Sequence, residues 1–140
     1  PMKIMAIDYG DAHTGIAISD PTGFLAGFTT TIDAYRPEVV ADRVAALARE
    51  HGVEELVLGH PINMDGTRGP RSEKAQAMAA LLRETTSLPV VLWDERRTTI
   101  DAHQILFNSG KNAKKRKKVV DAVAASLILE GYLTYKKNHL

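Results

Sequence analysis

Cysteine is absent from this chain of 140 residues. Without a thiol, the protein has no disulfide framework, no cysteine-ligated zinc and no cysteine nucleophile. The five histidines are spread along the chain without the H-E-x-x-H spacing that places two zinc ligands on one helix face. Carboxylates and the side chains of lysine and arginine therefore remain as the main candidates for chemistry.

Long apolar runs are also missing, because no stretch approaches the roughly 18 apolar residues that read as a membrane span. The first residues lead directly into a short strand-like run without the apolar segment of a signal peptide. We therefore expect a cytoplasmic protein with no membrane partner. A hydrophobic fraction of 44% is sufficient for the core of one compact domain, which we expect to extend over residues 1–140.

An overall excess of charge is lacking too, since the formal net charge is +1, but the two parts of the chain differ. Residues 1–60 contain 4 lysines and arginines against 9 acids, whereas residues 61–140 contain 14 against 8. Such a distribution favours a surface with one basic region, which attracts a polyanion. Many ordinary proteins have uneven charge, so this indication needs support from other features.

Apolar periodicity predicts five strands and four helices. The strands are expected at residues 2–7, 15–19, 24–32, 56–58 and 90–93, and the helices at residues 37–51, from Pro70 onward, and at about residues 98–109 and 113–135. The short connection between the first two strands favours an antiparallel hairpin, and the helical crossovers favour parallel later strands. The order predicts an α/β fold with one five-stranded mixed sheet, strand 2 antiparallel, and helices on both faces.

Acidic residues follow the first and the last predicted strands. Asp8 follows the first strand, and Asp94 and Glu95 follow the last one. Ligand sites in α/β sheets gather at the carboxyl ends of the strands, so these carboxylates can converge if the two strands lie close together. The alternative for Asp8 is a structural role in a turn or a helix cap.

A third acid, Asp121, lies inside the predicted C-terminal helix. Helical spacing puts it in line with Ala125 and Ile128, at or beside a packing stripe. A charge buried there needs a partner, because an unpaired one is very costly. The partner is a basic residue, for which Arg96 is one option, a helix N-terminus, or a cation shared with the two strand-end acids.

The predicted metal ligands and catalytic residues are therefore Asp8, Glu95 and Asp121. A set of oxygen ligands suits Mg²⁺, or Mn²⁺, better than zinc. Carboxylate clusters with one or two such ions support phosphodiester hydrolysis, in which one ion activates water and the other stabilises the leaving oxygen. The three acids thus point to phosphoryl chemistry.

A basic run at residues 111–118 holds 6 of the 18 lysines and arginines, at the start of the helix that carries Asp121. Cations in a first helical turn oppose the helix dipole, so helix stability does not explain them, whereas binding of phosphates does. A solvated face and a nuclear-import signal are the alternatives. The nucleic-acid contacts predicted in this run are Lys114, Lys115, Arg116, Lys117 and Lys118.

The loop at residues 59–71 is longer than the usual connection of about 2–6 residues. Gly66 and Gly69 permit close backbone approach, and nearby basic side chains can hold phosphates. We favour contact with the substrate over a plain connection. The nucleic-acid contacts predicted here are Asn63, Arg68, Arg71 and Lys74, together with Arg96 after the last strand.

Several motifs follow one another along nearly the whole chain. In order they are Ile7-Asp8-Tyr9-Gly10, Gly15-Ile16-Ala17, Ser19-Asp20-Pro21, Gly59-His60-Pro61-Ile62-Asn63-Met64-Asp65-Gly66, Trp93-Asp94-Glu95-Arg96, Thr98-Thr99, and Lys114-Lys115-Arg116-Lys117-Lys118 with Asp121. Together they strongly resemble the YqgF/RuvX family. The resemblance implies an RNase H-like fold, the three acids at the family's acidic positions, and residues 114–118 as its basic segment. The family usually has apolar residues where His60 and Arg97 stand.

Members of this family are described as Holliday-junction resolvases, and maturation of the 5′ end of 16S ribosomal RNA is also assigned to bacterial members. The resemblance implies a metal-dependent endonuclease that acts on precursor rRNA or on four-way DNA junctions, with ribosomal particles as further partners. A monomer and a homodimer both stay open, although resolution of a junction needs two active sites.

Two other functions are compatible with the residues alone. One is a nucleic-acid-binding accessory module in which the acids have only structural roles. The other is an ATP-binding protein of the actin-like fold, because Asp-x-Gly before a β-hairpin also opens that fold. Two such domains are needed there to enclose a nucleotide, and this chain has room for one.

Overall fold

The computed structural model describes residues 2–22, 26–63, 65–97 and 113–139, without the side chains of residues 97 and 113–121. The elements are β1 (Ile4–Asp8), β2 (His13–Ser19), β3 (Ala26–Asp33), α1 (Pro37–His51), β4 (Glu55–His60), α2 (Pro70–Thr86), β5 (Val90–Asp94), a 3₁₀ turn (Glu95–Arg97) and α3 (Ala113–Asn138). The helix predicted at residues 98–109 lies outside the described residues.

The five strands form one mixed sheet in the order β3-β2-β1-β4-β5. β2 pairs antiparallel with both β1 and β3, while β4 pairs parallel with both β1 and β5. The predicted five-stranded sheet with an antiparallel second strand is confirmed. Because β1, β4 and β5 are parallel, their carboxyl ends meet at the same edge of the sheet.

Helices cover both faces of the sheet, as the pattern predicts. Residues of β1 alternate between the faces: Met5 and Ile7 pack in the core cluster that contains α1 and α2 residues, whereas Ile4 and Ala6 pack in the cluster that contains α3 residues. A strand buried on both faces explains why its sequence is apolar at nearly every position.

Local signals explain where α1 begins and ends. Pro37 occupies its first turn, where the missing N–H costs nothing, and Gly52 after its end has a left-handed φ of 70°. The predicted and observed bounds of this helix agree. β4 is longer than the predicted residues 56–58, because the parallel ladder pairs Glu55 with Ile4 and His60 with Asp94.

α3 is 26 residues long and begins within the basic run, with residues 113–118 in its first turns. It contacts β1, β2, β3 and β4, so it crosses most of one sheet face. No helix in the described ranges is long and apolar enough to cross a membrane.

Replacing Leu129 with alanine tests how α3 is held against the sheet. Leu129 is 0% exposed in the cluster between this helix and the sheet, so Leu129→Ala should lower the free energy of unfolding by about 2–5 kcal/mol. The adjacent exposed residue provides a matched control, and Glu130→Ala should change it by less than about 0.5 kcal/mol. Urea denaturation compares both variants with the wild type. A Leu129→Ala midpoint equal to that of the wild type would contradict the packing of α3 against the sheet.

Candidate active site

Two acidic side chains meet at the carboxyl edge of the sheet. Asp8 is the last residue of β1, and Glu95 follows β5 at the start of the 3₁₀ turn. Their carboxyl groups are joined by a hydrogen bond, although β4 separates the two strands. A hydrogen bond between two carboxyl groups needs a proton on one of them, so the pair shares a proton when no cation neutralises it.

Gly59 leaves the space in which these two acids meet. It lies near the end of β4, between the two acid-bearing strands, and is the register partner of Trp93. A Cβ atom at this position would lie 2.8 Å from Ile128 Cδ1 and in still closer contact with Oε1 of Glu95. Any larger residue would therefore require the Glu95 carboxyl group and the end of the Ile128 side chain to shift.

Burial raises the pKa of the Glu95 carboxyl group above its ordinary value, because its charge is poorly solvated there. The hydrogen bond with Asp8 and the charge of Arg71 oppose this effect, while the nearby charge of Asp94 adds to it. The pKa remains raised. Two neighbouring carboxyl groups, one of them buried, concentrate negative charge when both are ionised. A bound cation neutralises this charge.

An open cleft of about 290 Å³ contains the acid pair. Its other walls are residues 9–13, between β1 and β2, and the first turns of α2, which contribute Arg71 and Lys74. Lys74 Nζ lies 2.9 Å from Asp11 Oδ1 in an exposed ion pair. The cleft thus places cationic side chains, suited to a phosphate, beside acids that are suited to a metal ion.

His60 links the end of β4 to the start of α2. The residue is 6% exposed, and its Nε2 atom lies 2.6 Å from the Ser72 hydroxyl oxygen. Burial lowers the pKa of His60 and the charge of Arg68 lowers it further, whereas Asp94 raises it. A neutral imidazole in this hydrogen bond holds the first turn of α2 beside the cleft.

The structure brings two of the predicted nucleic-acid contacts, Arg71 and Lys74, to the acid pair. Asn63 instead donates a hydrogen bond to Thr67 Oγ1 at 2.9 Å, and it lines a neighbouring cavity of about 510 Å³ together with Arg71. Arg68 is exposed in the same loop. Arg71 at the end of this loop therefore lines the cleft itself, whereas Asn63 lines only the neighbouring cavity.

Arg96 forms a close ion pair with Asp94. Its Nε atom lies 3.0 Å from both carboxylate oxygens, and its Nη2 atom lies 2.6 Å from Oδ2. The guanidinium is therefore engaged by a neighbour two residues away. The alternative pairing of Arg96 with Asp121 stays a prediction, because the Asp121 side chain is outside the described part of the chain.

Asp121 and residues 114–118 lie within α3, but their side chains are outside the described part of the chain. Among the described side chains, no three acids or histidines form a group that could hold a metal ion. The acid pair supplies two of the three predicted ligands. The third ligand and the basic segment stay predictions.

His13 lines the cleft as well, although the sequence analysis did not single it out. Its Nδ1 atom lies 2.7 Å from Asp33 Oδ1. The two residues face each other in the ladder between β2 and β3, so the hairpin register is the signal that links them. Gly10 is shaped by the same turn, since a Cβ atom there would collide with the carbonyl oxygen of His13.

Comparison with known proteins identifies relatives over nearly the full chain. A model of the family described as "RuvX: Holliday junction resolvase" matches residues 2–135. The chain is 43% identical over 135 residues to a "Putative pre-16S rRNA nuclease" of Halothermothrix orenii, covering 96% of each protein. It is 44% identical over 138 residues to a protein of the same name from Geobacillus kaustophilus, covering 97% of this chain and 100% of the relative.

Solved structures show the same fold. The structure of Thermus thermophilus RuvC in complex with a Holliday junction substrate matches with a TM-score of 0.63 at 15% identity, covering 97% of both chains. A further structure of Thermus thermophilus RuvC matches with a TM-score of 0.59. The predicted RNase H-like fold is confirmed by this similarity.

Substitution of Gly59 tests whether the acid pair depends on the absence of a side chain at this position. Gly59→Ala should lower the free energy of unfolding by about 1–3 kcal/mol, because the new methyl group meets Glu95 and Ile128. Gly69→Ser is the control, since a Cβ atom there meets only the Asn63 amide nitrogen at 3.8 Å and serine is a favoured helix cap. Thermal and urea unfolding compare the two, and a Gly59→Ala protein as stable as the wild type would contradict the geometry.

The raised pKa of Glu95 predicts how stability depends on pH in the absence of metal. The folded protein holds the Glu95 proton to a higher pH than the unfolded chain, whose glutamate pKa is about 4.3, so this group makes stability fall as pH rises above that value. Glu95→Gln should therefore be more stable than the wild type near pH 7, while its amide can still donate to Asp8.

The difference in stability between Glu95→Gln and the wild type should shrink below about pH 4, where the glutamate is protonated in both the folded and the unfolded states. Melting temperatures in EDTA across this range measure it, with the exposed substitution Glu130→Gln as the control. A difference between Glu95→Gln and the wild type that is the same at low and neutral pH would overturn the assignment.

Proposed function

This chain belongs to the family described as RuvX, Holliday junction resolvase, and we propose on that basis that it is a metal-dependent endonuclease of structured nucleic acid. The observation that carries the proposal is the hydrogen-bonded pair of Asp8 and Glu95 in a cleft that also presents Arg71 and Lys74. Hydrolysis of a phosphodiester needs anionic ligands for a metal ion and cationic groups for the phosphate, and both lie together here.

The acid pair fits a divalent cation, Mg²⁺ or Mn²⁺. Its donors are carboxylate oxygens, which these ions prefer, and both groups can ionise once a charge of +2 replaces their shared proton. When bound, such an ion supplies an activated water and stabilises the charge that develops on the phosphate. Asp8 and Glu95 would hold it from two strands, with Asp121 as the third ligand.

The direction of α3 supports Asp121 as that ligand. Tyr132 donates a hydrogen bond to Glu55 at the start of β4, whereas Ile128 lies against Gly59 near the strand's end. The helix therefore runs antiparallel to β4, and its N-terminal part leads past the edge where the acid pair lies. Asp121 is two turns before Ile128, roughly 10 Å further along the axis, so its helix position lies on the side of the sheet edge that carries the acid pair.

Basic residues on two sides of the cleft would position the nucleic acid. Arg71 and Lys74, on the first turns of α2, are near enough to line the cleft itself and would contact the phosphate next to the metal ligands. Residues 114–118 precede Asp121 on α3 and would bind backbone further along the strand. Arg68 and Asn63, in the loop beside the cleft, would extend the contact on the α2 side.

The substrate is proposed from the relatives' names, which give pre-16S rRNA for the curated proteins and Holliday junctions for the family. We favour processing of precursor rRNA, with ribosomal particles as partners, and keep junction cleavage as the second substrate. Resolution of a junction requires two active sites and hence a homodimer, whereas a single cut in rRNA needs one. A cytoplasmic location stays a prediction.

Cleavage assays test the proposal directly. Wild-type protein and Asp8→Asn are incubated with labelled precursor 16S rRNA fragments and four-way DNA junctions, in Mg²⁺, Mn²⁺ or EDTA. Because Asp8 is a proposed metal ligand, its loss should lower the cleavage rate by more than about a hundredfold, the upper range for groups that merely support a ligand. The substrate that the wild type cuts identifies the biological role.

Two controls sharpen this test. Asp42→Asn removes an exposed acid of α1 and should leave cleavage unchanged, which separates the metal ligands from general charge effects. Asp8→Asn should keep the cooperative unfolding of the wild type, so that lost activity reflects the site. Equal cutting by wild type and Asp8→Asn would refute the assignment, and RNA binding without any cutting would favour an accessory binding module instead.

A further inference from the structure

A second cavity opens directly beside the cleft of the acid pair. It measures about 290 Å³ and lies between the start of α1 and the middle of α2. Two of its walls are aromatic: Tyr9, which is half-buried, and Tyr35, which is 81% exposed. An aromatic ring exposed to this degree has one face available to another flat group.

The rest of this cavity is mostly apolar. Pro37 of α1 and Ala77, Met78 and Leu81 of α2 line it. The two charged residues of the lining, Asp11 and Lys74, are paired with each other. Flat aromatic walls with an apolar lining are suited to a planar, weakly polar ring.

The cavity and the cleft are continuous with each other. Tyr9, Asp11 and Lys74 line both, and the ion pair between Asp11 and Lys74 stands on their common rim. A ligand that places a phosphate beside Lys74 in the cleft can therefore extend a neighbouring group into the cavity. In a nucleic acid, the base is bonded directly to the sugar that carries the phosphate.

We propose that this cavity binds one unpaired nucleobase of the substrate strand, stacked on Tyr35, beside the phosphate held in the cleft. The inference rests on the proposed nuclease function and adds a specificity to it. A base can enter only if it has left its partner, so the site favours single-stranded or branched nucleic acid over continuous duplex. Stacking on an aromatic side chain accepts any of the bases.

Fluorescence of 2-aminopurine tests the stacking. Short single-stranded RNAs carry this base at each position in turn and are titrated with protein in Ca²⁺, so that binding is read without depending on cleavage. One position should lose fluorescence on binding. Tyr35→Ala should abolish that loss and weaken binding about tenfold, within the range measured for removal of a stacking ring, whereas Tyr35→Phe should retain both.

An abasic substitution identifies the base as the group that Tyr35 contacts. With the base removed at the responsive position, Tyr35→Ala and the wild type should bind equally. Tyr135→Ala removes another partly exposed tyrosine, at the end of α3, and should leave binding unchanged.

Unchanged binding by Tyr35→Ala, or a loss that persists with the abasic strand, would overturn the base site and leave the nuclease proposal standing. Failure of the nuclease proposal would appear instead as cleavage by Asp8→Asn, which this binding assay does not measure.

Discussion

Two carboxyl groups that share a hydrogen bond inside a partly buried site impose a physical condition on the rest of this structure. Both cannot be charged at that distance without a compensating positive charge, and burial makes the charge on Glu95 more costly still. Arg71 provides part of the compensation, but it is exposed and belongs to a cleft wall rather than to the pair. A proton shared by the pair removes the repulsion only by leaving one of the two acids neutral. A divalent cation satisfies it while both acids stay ionised, which is the physical reason for proposing the pair as metal ligands.

The sheet topology is what creates that pair. Asp8 and Glu95 belong to strands that are not neighbours, and they meet because β4 lies between them and carries glycine at the crossing point. The same missing side chain leaves room for the end of the Ile128 side chain of α3, so one glycine accommodates both the acid pair and a packing contact of the helix. The antiparallel β1-β2 hairpin contributes residues 9–13 as the facing wall of the cleft. The acid pair and the core packing therefore depend on the same residues at this edge.

Much of this architecture follows from local sequence signals, and the rest depends on contacts between distant segments. The bounds of α1 are predicted correctly because Pro37 and Gly52 act on the backbone nearest to them. Asp8 and Glu95 are identified as candidates because each follows an apolar run that indicates a strand. β4 is predicted too short, since the pairing that extends it to Glu55 and His60 depends on β1 and β5. The role of Gly59 could not be predicted either, because a clash with Glu95 exists only once the sheet has formed. The link from His60 to Ser72 is hidden in the same way, since it spans 12 residues and two elements.

What distinguishes substrates must lie outside the acid pair, because a carboxylate-bound metal ion acts on any phosphodiester that reaches it. Two features of the surroundings bear on this. The cations next to the pair belong to the start of α2, and the phosphate contacts proposed for them would carry no sequence information. The cavity beyond Tyr9 and Tyr35 accepts a base only if that base is unpaired. A continuous duplex satisfies the first feature and not the second, whereas the branch point of a junction and the single-stranded end of a precursor RNA satisfy both. The proposed base site thus favours a substrate that offers an unpaired nucleotide beside the phosphate in the cleft, whichever of the two substrates suggested by the relatives is cut.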